Sequence, residues 1–181
     1  MNRSEASDEE LMQAYTTGDD AAFDELFTRY APMLLRVIQR QLRSQEEAND
    51  LVQQTFLQLH RARHDFRSDA KLRPWLFTIA LNLKREHFRR VKRRPEVELV
   101  LDGHADPTAL ENGVDRYEAA KTLDYALEKL PETQREVIEL HWFGEFSFNE
   151  IATLVGASLS AVKVRAHRGY RTLRETLGES S

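Results

Sequence analysis

Apolar residues recur every three to four positions through the first half of the chain, which is the spacing of one helix face. The pattern predicts packed amphipathic helices between Glu10 and Arg94, with apolar runs at Phe23, Leu26, Phe27 and Tyr30, at Leu34, Val37, Ile38 and Leu42, and at Leu51, Val52, Phe56 and Leu59. A further helix is predicted to begin at Pro74, because proline suits a first helical position. Its expected apolar stripe is Trp75, Leu76, Ile79, Leu83 and Phe88.

The helical spacing weakens between Pro95 and Glu118, where two prolines, two glycines and seven acids stand against a single arginine. This composition predicts an acidic linker. Helical spacing then resumes, with apolar positions at Leu123, Ala126, Leu127 and Leu130, and in a helix opened by Pro131 at Val137, Ile138 and Trp142. The whole pattern predicts an all-α chain, in which an acidic linker over 95–119 joins a helical domain over 1–94 to a smaller one over 120–181.

The smaller domain has the local signals of a helix-turn-helix. Ser147 and Glu150 have the spacing of a capping box at a helix start. Gly156 suits a left-handed turn, and Ser158 suits the cap of a second helix. The side chains expected between the two helices and along the buried stripe are Ile151, Leu154, Val162, Ala166, Tyr170 and Leu173. An ordinary helical hairpin is the alternative.

The opposite face of that second helix is expected to be exposed and basic. In a recognition helix such side chains meet base edges in the major groove. Arg165 and Arg171 are expected at flanking phosphates. The exposed set is Ser160, Lys163, Val164, His167 and Arg168.

The charge of the chain is strongly segregated. The 181 residues include 26 Lys and Arg against 30 Asp and Glu, a net charge of −4, so a nucleic-acid role must depend on local basic patches. Residues 82–94 carry seven bases and one acid, and residues 158–174 carry five bases and no acid. Clusters of this kind attract phosphates. The alternative interpretation of these clusters is that they are solvated helix faces.

Several classes of protein are excluded by composition. The absence of cysteine rules out a disulfide framework, a thiolate metal site and a cysteine nucleophile, and it fits a reducing cytosol. The acidic N-terminus has no apolar signal segment, and no window approaches the roughly 18 apolar residues needed to cross a bilayer. We therefore expect a cytoplasmic protein that is neither exported nor membrane-spanning.

No set of residues indicates catalysis or metal binding. His60 and His64 have the spacing of a metal pair, but without further ligands two surface histidines are the favoured interpretation. Asp19 with Asp20, and Asp24 with Glu25, are adjacent pairs typical of a solvated helix face. With no Gly-rich phosphate loop either, the sequence predicts a protein that is not an enzyme and has no cofactor and no metal.

Three separated motifs together resemble one family. They are Asp50-Leu51-Val52-Gln53-Gln54-Thr55-Phe56, then Trp75-Leu76-Phe77-Thr78-Ile79-Ala80-Leu81-Asn82 with the basic run after it, and Leu130-Pro131 with Glu150-Ile151-Ala152. Over about Asp8 to Leu177 the chain resembles extracytoplasmic-function (ECF) sigma factors. The resemblance implies a dissociable subunit of RNA polymerase that binds the core enzyme, directs it to promoters and helps to open the DNA.

By position, the first domain resembles region two of these factors. The resemblance implies that core polymerase contacts, on the clamp helices of the largest subunit, fall on Asp50, Leu51, Gln53, Gln54 and Phe56, although Gln54 replaces an acid often found there. It implies that a loop captures a flipped base of the minus-ten element, with contacts from Phe66, Arg67, Ser68, Asp69, Ala70, Lys71, Trp75, Asn82, Arg85, Arg89 and Arg90. Helical spacing with Leu76 and Ile79 favours a core position for Trp75 over a stacking platform.

The second domain resembles region four, whose recognition helix reads the minus-thirty-five element. The residues implied there are Ser160, Lys163, Val164, Arg165, His167, Arg168 and Arg171. Ala161, Val164 and Gly169-Tyr170 depart from the usual pattern, so the preferred bases do not transfer. The acidic linker resembles the connector that family members thread towards the RNA exit path.

An autonomous helix-turn-helix regulator is the alternative function, and it leaves the first domain unexplained. Such regulators usually bind paired half-sites as dimers. A sigma factor is instead expected to be a monomer when free and to bind core polymerase and promoter DNA, both as a duplex and as the melted non-template strand. An anti-sigma factor is a common further partner in the family.

Overall fold

The computed structural model describes residues 3–40, 42, 44–67, 69–93 and 113–178, with side chains of the last range from Lys121 onward. These residues form eight α-helices and no strand, which confirms the all-α prediction. The chain divides into two compact units, Met1–Asp102 and Gly103–Ser181. Residues 95–112, most of the predicted acidic linker, lie outside the described residues.

The first unit contains four α-helices and one short 3-10 turn. They are α1 (Asp8–Thr16), α2 (Asp20–Gln39), α3 (Gln45–Arg61), the turn Arg63–Asp65, and α4 (Leu72–Lys92). Their apolar faces meet in one core that includes Leu11, Met12, Leu26, Leu34, Ile38, Leu59, Leu76 and Phe77. A capping box of Ser7 and Glu10 begins α1, and the Ser44 hydroxyl accepts from the Glu47 amide at the start of α3.

Helix α4 differs from its prediction in both its start and its buried face. It begins at Leu72, so Pro74 lies third in the first turn, where a missing amide proton costs no helical hydrogen bond. Its buried stripe is Leu72, Leu76, Phe77, Ala80, Leu81 and Lys84. The predicted stripe was therefore wrong except at Leu76, and Trp75, Ile79, Leu83 and Phe88 are only partly buried.

The second unit contains α5 (Gly113–Glu128), α6 (Glu132–Trp142), α7 (Phe148–Val155) and α8 (Leu159–Gly178). Helix α5 begins inside the range predicted as linker, ahead of the first strong apolar repeat at Leu123. Pro131 is the residue before α6, and its carbonyl accepts from the amides of Gln134 and Arg135. The core of this unit contains Ala126, Leu127, Leu130, Ile138 and Leu173.

The helix-turn-helix has the predicted construction. The Ser147 amide donates to Glu150 Oε2 at 2.9 Å, and the Glu150 amide donates back to Ser147 Oγ at 3.4 Å. Gly156 has φ 65° in the turn, and the Ala161 amide donates to Ser158 Oγ at 3.2 Å. These local bonds satisfy amides that would otherwise be unpaired at both helix starts.

Gly169 is a packing position that the sequence pattern did not indicate. A Cβ at this residue would lie 2.5 Å from Ile138 Cδ1 and 3.6 Å from Gln134 Cβ. The missing side chain therefore lets α8 cross close to α6, which holds the recognition helix on the core of its unit.

Across the described ranges, every helix is too short or too polar to cross a bilayer.

Candidate functional site

The first half of α8 presents the predicted recognition surface. Five of the seven predicted residues, Ser160, Lys163, Val164, His167 and Arg168, lie together with Leu159 around a shallow concavity of about 470 Å³. Val164 is 46% exposed, an unusual state for a β-branched apolar side chain. Because the lining includes two cations and no acid, this surface is suited to the floor and phosphate edges of a DNA groove.

The remaining two residues of this set are placed differently. Arg165 is partly buried beside the lining residues, and Arg171 is exposed one turn further along α8. Arg171 Nε lies 3.8 Å from Glu175 Oε1, in an exposed pair separated by four residues. Such pairs are weak and open readily, so Arg171 remains suited to a phosphate.

The loop between the 3-10 turn and α4 carries the second candidate surface. Phe66 and Trp75 have ring centroids 5.2 Å apart, so an aromatic pair joins the loop to the first turn of α4. Trp75 is partly exposed, and the expectation that it lies in the core was wrong, because the buried face of α4 runs through Leu72 and Leu76. Asp69 and Lys71 are exposed and Ala70 is partly buried, while Ser68 lies outside the described residues.

Beyond the loop, α4 presents a row of polar and basic side chains. Arg85 Nη1 donates to Asn82 Oδ1 at 3.2 Å, which joins two of the predicted DNA contacts. Arg89 and Arg90 are exposed on the same helix. Lys84 belongs to the same basic run in sequence but is buried, so this base does not contribute to the outer surface.

The third candidate surface is on α3. Asp50, Gln53 and Gln54 are exposed, as a docking surface requires. Leu51 and Phe56, which were predicted with them, are buried, so these two residues hold the helix in place and do not themselves present a surface.

Two exposed apolar residues extend the α3 surface, and neither was predicted as a contact. Leu57 is 47% exposed, one turn after Gln53 and Gln54, and Phe27 of α2 is 41% exposed. The Phe27 ring lies on Phe56, with centroids 4.7 Å apart. The sequence contained no signal that separates an exposed Phe27 from the buried Leu26 beside it.

Helix α1 is attached to α2 by a network of polar groups. Arg29 Nη1 of α2 lies 2.9 Å from Asp8 Oδ1 of α1. Within α2, Arg29 Nε lies 2.8 Å from Glu25 Oε1, which helps to hold the guanidinium in place. Bonding to Glu25 raises the pKa of the Arg29 guanidinium, with Asp8 adding to the effect. The Tyr30 hydroxyl donates to Asp8. Burial is the main cause that raises the pKa of the Tyr30 phenol, and the hydrogen bond to Asp8 raises it further.

The structure gives His60 a local partner. Its Nδ1 is hydrogen-bonded to the Tyr15 hydroxyl, and both His60 and His64 are exposed. Within the described part of the chain, no three histidine, aspartate or glutamate side chains converge as a metal site requires.

Family models match both units. The model of Sigma-70 region 2 matches residues 26–94, and that of Sigma-70 region 4 matches residues 120–173. These ranges include the loop, the basic part of α4, the exposed face of α3 and the recognition helix.

Curated relatives match over nearly the whole chain. RNA polymerase sigma factor CarQ of Myxococcus xanthus is 36% identical over 93% of this chain and 96% of CarQ. ECF RNA polymerase sigma factor SigM of Mycobacterium tuberculosis is 32% identical over 97% of this chain and 87% of SigM.

Solved structures agree with these relatives. CnrH, in complex with the cytosolic domain of CnrY, matches with a TM-score of 0.73 and 28% identity over 96% of this chain and 99% of CnrH. The sigma factor RpoE of Bartonella quintana, in complex with the anti-sigma factor NepR, matches with a TM-score of 0.70 and 25% identity over 86% of this chain and 96% of RpoE. Since the similarity includes both units, it favours a sigma factor over an autonomous helix-turn-helix regulator. The chain therefore belongs to the ECF sigma factors, within the sigma-seventy class of RNA polymerase sigma factors.

Proposed function

We propose that the two units of this sigma factor divide promoter recognition between them. The first unit docks on core polymerase through α3 and captures the minus-ten element, and the second unit reads the minus-thirty-five element through α8. What supports this proposal is that each unit has its own exposed cationic surface, and that α3 of the first unit also exposes Asp50, Gln53 and Gln54.

On the second unit, the base-reading residues are Lys163, Val164, His167 and Arg168. Lys163 and Arg168 each supply donors suited to guanine or to phosphate, and Val164 is suited to a thymine methyl group. Ser160, Arg165 and Arg171 flank them, where backbone contacts fix the register of a helix in the groove.

On the first unit, the loop 66–71 and the following turn of α4 hold an unstacked base. Flipping a base costs a few kcal/mol, which stacking and pocket contacts offset. The partly exposed pair of Phe66 and Trp75 supplies aromatic surface for this purpose. The path along the strand continues at Asn82, Arg85, Arg89 and Arg90. Promoter opening then requires no nucleotide hydrolysis, and the chain itself has no catalytic activity.

Core docking uses the exposed face of α3. Asp50, Gln53 and Gln54 provide polar contacts, and Leu57 with Phe27 provides apolar area beside them. Buried Leu51 and Phe56 keep these side chains outward. The surface combines an apolar centre with polar neighbours, which is a common composition for protein interfaces.

Regulation by an anti-sigma partner is part of the proposal. The structures of CnrH and of RpoE each contain a partner chain, the cytosolic domain of CnrY and the anti-sigma factor NepR. By this likeness we expect a comparable partner for this chain, acting in the cytoplasm where the polymerase works.

The test compares binding with and without core polymerase. Purified protein is expected to be a monomer that binds core one to one, measured by gel filtration with light scattering. Tight promoter binding is expected only after core is added. A free dimer that binds duplex DNA tightly and does not bind core polymerase would overturn the proposal.

A further inference from the structure

The carboxylate of Glu9 in α1 reaches across the first unit to the start of α4. The Leu72 amide donates to Glu9 Oε1 at 3.1 Å, although 63 residues separate the two in sequence. The other oxygen, Oε2, lies 3.8 Å from Lys71 Nζ. A single side chain therefore contacts both the last residue of the loop and the first residue of the helix.

Helix α4 has no cap of its own. Lys71, the residue before the helix, forms no side-chain cap bond, and the first turn of α4 contains no acid. The first amides of a helix need an acceptor, and they favour a negative charge nearby. Glu9 supplies both from another helix.

Glu9 is itself held firmly. Helix α1 begins with its own capping box, and Leu11 and Met12 are fully buried in the core. Asp8, the neighbouring residue, is bonded to Arg29 and Tyr30 of α2. These contacts fix the position of α1. The Glu9 carboxylate is therefore held beside Lys71 and Leu72, where the loop 66–71 ends.

We propose that Glu9 is a positioning residue for promoter opening: by capping α4 from α1, it holds the end of the base-capturing loop in its productive place. This inference rests on the proposed function of that loop. It also gives α1 a role, although this helix precedes residues 26–94 matched by the region 2 family model.

The first readout is hydrogen exchange at the Leu72 amide, measured by NMR on the full-length protein. Glu9→Ala is expected to accelerate this exchange severalfold and to leave buried amides of α2 and α3 unchanged. Glu9→Gln keeps an acceptor oxygen and loses the charge, so we expect a smaller acceleration. Unchanged exchange in Glu9→Ala overturns the inference.

The second readout is the rate of opening by the holoenzyme on a promoter mapped with this protein. Glu9→Ala is expected to slow opening of duplex DNA about fivefold, the size of one lost helix cap, with core affinity unchanged and a smaller effect on a pre-melted template. Glu5→Ala is the matched control, because Glu5 is an exposed acid ahead of α1. Equal slowing by Glu5→Ala, or no slowing by Glu9→Ala, overturns the inference.

A loop variant that leaves both Glu9 partners in place, Phe66→Ala with Arg67→Ala, separates this inference from the proposed function. If the loop variant slows opening and Glu9→Ala does not, the Glu9 role alone fails. If the loop variant also leaves opening unchanged, the proposed function of the loop fails and the Glu9 role with it. Should Glu9→Ala not fold, Glu9→Gln carries the test, with about twofold slowing expected and no slowing overturning the inference.

Discussion

Arg67 and Asp69 form a two-point ion pair across one intervening residue in the loop ahead of α4. Arg67 Nε donates to Asp69 Oδ1 at 3.0 Å, and Arg67 Nη2 donates to Asp69 Oδ2 at 2.8 Å. Both side chains are largely exposed, and exposed pairs contribute about 0.2–1 kcal/mol. The pair therefore opens easily, and until it does Asp69 neutralises the charge of Arg67, which we propose as a DNA contact.

Asp69→Asn is expected to release Arg67 for a phosphate. Affinity of the holoenzyme for a single-stranded minus-ten oligonucleotide should rise, and the slope of log affinity against log salt should steepen by about 0.7. Fluorescence anisotropy across a salt series measures both quantities. Asp65→Asn is the control, since it removes an exposed acid from the preceding turn. Equal steepening by both variants would mean that net charge, and not the pair, is responsible.

Lys163→Ala and Arg168→Ala are expected to weaken binding at the upstream promoter element by about 1–3 kcal/mol each, because each removes a proposed base or phosphate contact. Affinity for core polymerase should not change. Electrophoretic mobility shift of the holoenzyme on promoters with an intact and a scrambled upstream element checks this. Arg174→Ala, an exposed arginine further along α8, serves as the control. An equal loss of core affinity would contradict this assignment.

Asp50→Ala is expected to have the reverse effect. Hydrogen bonds to a charged group contribute about 1.5–3 kcal/mol, so affinity for core should fall roughly tenfold or more. Surface plasmon resonance with immobilised core measures the loss. Glu128→Ala, which removes an exposed acid from the other unit, should leave core affinity intact. Unaltered core binding by Asp50→Ala would exclude the α3 face as the docking site.

Gly156→Ala tests the helix-turn-helix turn. Gly156 has φ 65°, and a Cβ there would meet no atom within 4 Å, so the cost is one of backbone conformation. We expect a loss of about 1–2 kcal/mol in the free energy of unfolding of the second unit. Urea denaturation, followed by the NMR signals of α8 residues, measures this loss. In Gly178→Ala, which also has open space around the Cβ, no comparable loss is expected.

Local signals in the sequence predicted the helix-turn-helix well. A capping box, a left-handed glycine and a serine cap act over three or four residues, and each forms the bond that its spacing implies. The start of α4 contains no such signal. Its cap comes from Glu9. A hydrogen bond between residues so far apart in sequence produces no local pattern from which it could be predicted.

Burial was harder to predict than helicity. The stripe of α4 was misjudged because periodicity counts apolar residues, whereas the buried face includes Lys84 and leaves Trp75 partly exposed. On α3, the residues implied by family resemblance include both buried side chains, such as Phe56, and exposed side chains, such as Gln53. The exposure of Phe27 and Leu57 depends on how α2 and α3 pack against each other, which periodicity along the chain does not show.

As a sigma factor, this chain gives core polymerase its choice of start sites. Transcription in vitro on a genomic library, with purified core polymerase and with or without the protein, tests it most directly when the 5′ ends of the transcripts are sequenced. We expect a discrete set of protein-dependent start sites that share two spaced upstream elements. Transcripts whose start sites do not change when the protein is added would contradict the claim.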